Sequence, residues 1–99
     1  MIAITRTASI APGKTGNAVD FGHQVAKYIE DKHGVKLEVL MPIGGNPARI
    51  AWHARYESLA QWEALTAKLL ADKKYMQLVS KHSDVFLPGS VRDSFWRAI

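Results

Sequence analysis

The segment from Val35 to Tyr56, VKLEVLMPIGGNPARIAWHARY, constrains this chain more than any other. Two β-rich runs flank the turn GGNP, so the expected strands are Val35 to Ile43 and Arg49 to Tyr56. If Ile43 faces Ala48 across the four-residue loop, Met41 pairs with Ile50, Val39 with Trp52 and Leu37 with Ala54. One side of the hairpin is then wholly apolar, and Tyr56 extends it. The other side carries Lys36, Glu38, Leu40, Arg49, Ala51, His53 and Arg55, with Glu38 opposite His53. A slip of one residue would mix the two sets and spoil the apolar side, which selects this register.

The rest of the chain supplies what covers that side. Ile2 to Ile10 reads as a strand that Pro12 and Gly13 stop. From Lys14 to His33 the apolar spacing turns helical, with Ala18, Phe21, Gly22, Val25, Tyr28 and Ile29 on one face and Gly34 as terminator. His33 falls in the last turn, where a cation favours the helix dipole, and His23 falls on the solvent side. Ser58 caps a helix whose inner face is Leu59, Trp62, Leu65, Thr66 and Leu69. A further helical stretch begins at Asp72 and turns Tyr75, Leu78, Val79, His82 and Phe86 inward. LPGS, Leu87 to Ser90, breaks it, and VRDSFWRAI closes the chain as a strand.

The order β, α, β, β, α, β, with the second helix broken in two, packs most economically as one four-stranded sheet with the helices on one face. The expectation is that right-handed crossovers between parallel neighbours put them there. This is an α+β, ferredoxin-like arrangement with an antiparallel sheet, and its 99 residues make a single domain. The uncovered face mixes Leu40, Ala51 and Trp96 with charges, which suits sheet-on-sheet pairing in a homodimer.

Composition narrows the function classes. There is no cysteine, which removes disulfides and thiolate chemistry. The first residues, MIAITRTASIAPGK, show neither a basic leader nor a long apolar run, so the cytoplasm is the expected location and no membrane partner is expected. A net charge of +4 arises from scattered rather than clustered basic residues, which argues against nucleic acid as a partner. RIAWHARY also lacks the glycine that an RNA-recognition strand uses beside its stacking aromatics. GGNP joins two strands and leads into no helix, so it is not a phosphate loop.

The stretch MPIGGNPARIAWHARYESLAQWEALTAKLLADKKY, Met41 to Tyr75, resembles the NIPSNAP-type members of the dimeric α/β-barrel superfamily. The turn GNP, the strand aromatic Trp52, YES at Tyr56 to Ser58 and LADKKY carry the resemblance jointly. It implies a dimer whose two sheets face each other, with a small-molecule cavity between each sheet and its helices. The wider superfamily includes cofactor-free monooxygenases, haem-degrading enzymes, dehydratases and proteins with no known activity; no cofactor is expected here. Haem degraders carry an asparagine on the first strand, a tryptophan where this chain has Tyr56, and a histidine out of register with His82.

The candidate ligand-binding residues are Arg6, Trp52, Tyr56, Trp62 and His82. His82 is the one histidine on an apolar helix face, and Arg6 follows Ile2 and Ile4 at strand period toward the same interior. Together they could hold an apolar ligand bearing an anionic or carbonyl group; read structurally, His82 and the aromatics are core and Arg6 is a strand-end charge. His53 is the second catalytic candidate, since Glu38 could orient its ring, with an interface salt bridge as the alternative. The four histidines fall on three surfaces, so no metal site is expected. Two functions follow. The first is a homodimeric small-molecule-binding protein, extending to a cofactor-independent monooxygenase-like enzyme on an apolar, oxygen-bearing substrate. The second is a structural or regulatory dimer without activity; no catalytic constellation names a reaction.

Overall fold

Strand β1 (Ile2–Ser9), helix α1 (Thr15–His33), strands β2 (Glu38–Leu40) and β3 (Arg49–Tyr56), helices α2 (Leu59–Leu70) and α3 (Lys73–Lys81) and strand β4 (Arg92–Arg97) follow in turn in the computed structural model, which covers residues 1–99. The sheet order is β2-β3-β1-β4 and every neighbouring pair is antiparallel. This is the ferredoxin-like α+β arrangement. The crossovers do not join neighbours, as the packing argument had it: β3 lies between β1 and β2, and β1 between β3 and β4. No helix is long and apolar enough to cross a membrane.

The core lies where the inner face of the sheet meets the helices. Ile4, Ala8, Ile50, Trp52, Ala54 and Tyr56 pack against Ala18, Phe21, Val25 and Ile29 of α1 and Leu65 of α2. Alternation along β1 and β3 accounts for this, since inward residues recur at every second position. Gly22 lets α1 approach the sheet closely, for a β-carbon there would meet Ile50 Cδ1 at 3.0 Å and Val39 Cγ1 at 3.1 Å. Gly34 ends α1 in the left-handed conformation at φ 71°, and Ser58 caps α2 by accepting from the Gln61 N–H.

The hairpin register is as read, with Glu38 opposite His53, Val39 opposite Trp52 and Leu40 opposite Ala51. The extent is not. β2 holds three residues, and the pairings of Met41 with Ile50, Leu37 with Ala54 and Ile43 with Ala48 do not form. Pro42 has no N–H to give to the ladder, and Gly45 turns the chain away at φ 64°. Asn46 Oδ1 then accepts from the Ala48 N–H, while the Ala48 carbonyl accepts from Ile10 of the neighbouring strand, so Ile43 is left fully exposed. Leu59, expected inside, is also exposed.

Asp72 separates α2 from α3. Its side chain caps α3 through the N–H groups of Lys74 and Tyr75, and also takes the Tyr28 hydroxyl at 2.6 Å and Lys32 Nζ at 2.9 Å from α1. His33 lies in the last turn of α1 as read, nearly buried, with Nε2 3.6 Å from Asp72 Oδ2. The Tyr28 hydroxyl first, then Lys32 and the Tyr75 N–H, hold the Asp72 carboxyl well below its ordinary value of 3.8. A depressed carboxyl stabilises the fold fully above its unfolded value, and that contribution drains away as pH falls beneath it. Asp72→Asn should therefore lower the melting temperature most near neutrality, with the gap to wild type closing below about pH 4. Melts across pH 2.5 to 8 check this; a gap independent of pH would mean that the carboxylate charge does not hold the junction.

Candidate functional site

The inner layer is not filled. Between the sheet and α1 to α3 lies a cavity of about 490 Å³, within the range of small-molecule sites. Strand alternation delivers Ile4, Arg6 and Ala8 from β1, and Trp52, Ala54 and Tyr56 from β3. Helical spacing delivers Trp62, Leu65 and Leu69 from α2, and Tyr75 and Val79 from α3. His82, which ends α3, and Asp93 of β4 join Thr66, Ser80 and Ser83 in the polar part of the lining.

The structure brings Arg6, Trp52, Tyr56, Trp62 and His82 to this one cavity. Trp52 is the most buried of the three tryptophans; its indole N–H donates to the Gly22 carbonyl at 3.3 Å and its ring meets Phe21 edge-on. Trp62 stands edge-on to Phe95 at 4.9 Å. His82 stacks obliquely on Phe21, with centroids 4.9 Å apart, and its Nδ1 lies 2.8 Å from the Leu78 carbonyl. Since a carbonyl only accepts, that nitrogen carries a proton and Nε2 is the free lone pair of the neutral ring.

Arg6 is neither a strand-end charge nor a free cation. It sits mid-strand, directly opposite Asp93, and donates from Nε at 2.7 Å and from Nη2 at 2.9 Å to the two carboxylate oxygens. The Asp93 hydrogen bond raises the Arg6 pKa, and the same bond lowers that of Asp93. Burial pushes the Tyr56 and Tyr75 phenols up, against the opposing charge of Arg6. Both are therefore protonated donors at neutral pH.

His53 differs from the expectation. Its Nδ1 lies 3.0 Å from Thr5 Oγ1, its register partner on β1, and no hydrogen bond or ion pair with Glu38 forms although the two are paired across the strands. β3 has neighbours on both sides, and the ring turns to the inner strand rather than to the exposed edge. It borders the cavity through its strand, but the ring lies on the opposite face with Thr5.

Asp93 is the cavity residue that sequence reasoning missed. Only the pairing of β1 with β4 places it opposite Arg6; an acidic residue on a strand antiparallel to a lone inward arginine is the signal that could have found it.

An antiparallel four-stranded sheet, helices over one face and a cavity between them define the class: a ferredoxin-like α+β domain with an internal cavity. No family model matches the sequence, and no curated protein matches it. Solved structures do. A NIPSNAP domain protein from Burkholderia xenovorans superposes with a TM-score of 0.85 at 15% identity, over 100% of this chain and 95% of that one. A NIPSNAP family protein of unknown function from Agrobacterium tumefaciens gives 0.84 at 17% identity, over 99% and 87%. A protein from Nitrosomonas europaea proposed to be an antibiotic biosynthesis monooxygenase gives 0.75 at 13% identity, over 100% and 99%. The chain thus has the fold shared by NIPSNAP proteins and by these monooxygenase-like domains.

Proposed function

We propose that this chain is a homodimeric small-molecule-binding protein whose ligand, an apolar molecule carrying an oxygen function, occupies the cavity between sheet and helices. The observation that carries the reading is a largely apolar space of about 490 Å³ with the phenol hydroxyls of Tyr56 and Tyr75 on its wall. A core made only for stability fills such a volume. Likeness in fold to NIPSNAP proteins and to proteins proposed as monooxygenases supports it. The neutral dye N-phenyl-1-naphthylamine should bind saturably, one per chain, and binding should be lost in Ala54→Phe, which fills the space. Undiminished binding by the folded variant would place the dye elsewhere and defeat the reading.

A second reading, a cofactor-independent oxygenase-like enzyme, is favoured by the tautomer of His82. With Nδ1 bound to the Leu78 carbonyl, Nε2 is held as a proton acceptor at the cavity wall. A base there can take the proton of an acidic O–H and leave an electron-rich anion for dioxygen. A compound extracted with the purified protein should then be consumed with oxygen uptake by wild type, and bound but not consumed by His82→Gln. Equal turnover by the two would remove His82 from the chemistry.

The dimer part of the reading rests on the sheet face away from the helices. It presents Leu40, Ala51, His53 and Trp96, and Trp96 is 65% exposed. Light scattering at micromolar concentration should report twice the chain mass, and Trp96→Glu should halve it. A monomeric wild type would end the proposal.

A further inference from the structure

We propose that Asp93 sets the charge selectivity of the cavity: by engaging the Arg6 guanidinium it leaves the space receptive to a neutral, oxygen-bearing ligand and closed to a carboxylate or sulfonate. The inference rests on the cavity being a ligand site and adds which chemical class it takes.

Arg6 is the only lysine or arginine on the lining. A lone inward arginine would by itself mark a pocket for anions, because its planar fork suits carboxylate oxygens. Here the fork is already taken by a carboxylate of the same chain. Asp93 is the direct register partner of Arg6, and the two parallel contacts at 2.7 and 2.9 Å form a bidentate pair with no net charge. The side chains are 46% and 23% exposed, so Asp93 is the more covered partner. An incoming anion meets two alternatives. It can displace Asp93, breaking two charge-assisted hydrogen bonds and meeting the repulsion of the freed carboxylate, or it can shed its own water with no net charge to receive it. Both disfavour it. The remaining polar lining consists of Tyr56, Tyr75, Ser80, Ser83, Thr66 and His82. These offer hydrogen bonds to a carbonyl or hydroxyl oxygen, which asks for no countercharge.

Two fluorescent probes on one aromatic frame separate the possibilities: neutral N-phenyl-1-naphthylamine and anionic 8-anilinonaphthalene-1-sulfonate. Wild type should bind the neutral probe more tightly. Asp93→Asn keeps the shape of the side chain and frees the Arg6 charge, so the sulfonate should gain roughly tenfold relative to the neutral probe. A ratio unchanged in the folded variant, or a wild type that prefers the sulfonate, overturns the inference while leaving the cavity a ligand site. Should Asp93→Asn not fold, Arg6→Gln tests the same balance from the other side. It leaves Asp93 alone and should weaken the sulfonate further with little change for the neutral probe; an unchanged ratio again overturns the inference. Absence of neutral-probe binding removes the ligand-site reading itself, and this inference with it.

Discussion

Trp52→Ala should cost about 3 to 5 kcal/mol of stability, the range for truncating a large buried aromatic. Trp52 is 9% exposed, meets Phe21 and Phe86 edge-on with centroids 6.2 and 6.1 Å away, and lies directly opposite both Val39 and Arg6 in the sheet. Its removal would join a void to the existing cavity, so the surrounding side chains have few atoms to collapse against. Trp52→Phe should lose less, because the ring contacts persist while the hydrogen bond to Gly22 goes. Urea unfolding of both variants decides; a loss under about 1 kcal/mol for the alanine variant would be a surface value and would contradict the packing.

Gly22→Val should destabilise by about 2 to 3 kcal/mol, toward the upper end for inserting methyl groups into a packed core. A β-carbon alone would already sit 3.0 Å from Ile50 Cδ1 and 3.1 Å from Val39 Cγ1, and Ile50 is fully buried with nowhere to go. Two further methyls must push α1 off the sheet. Gly22→Ala is the instructive control, since it sets a helix-propensity gain of about 1 kcal/mol against the same two contacts. The alanine variant should fall near wild type, the valine variant well below. Equal melting temperatures for all three would mean that α1 does not rest on the sheet at this position.

Legibility in the sequence followed how local each interaction is. The apolar parity of Val39, Ile50, Trp52 and Ala54 was enough to assign the register of β2 against β3, because one slip inverts every side chain. The length of β2 was not legible from the same parity: the apolar pattern continues through Met41 and Ile43, but Pro42 and the glycines overrule it. His53 shows the limit of reasoning from a hairpin alone. A central strand has a second neighbour, and Thr5, 48 residues away, takes the ring that Glu38 was expected to hold. Among the site residues, Arg6, Trp52, Tyr56, Trp62 and His82 were nameable because strand and helix periods aim them at one interior. Asp93 and the hub at Asp72 were not, since each joins residues more than forty positions apart, and no local spacing announces such a meeting.

The brevity of β2 has a bearing on assembly. A sheet with two long free edges can add strands at both ends and propagate without limit. Here one edge is a three-residue strand followed by Pro42, while the other, β4, is six residues long. Backbone pairing with another copy is therefore one-sided. Two β4 edges could meet and close on each other, but the stub at the far side offers too few groups for a third strand to follow. The proline that cuts the hairpin short thus leaves the β2 edge with few backbone groups to offer a further strand.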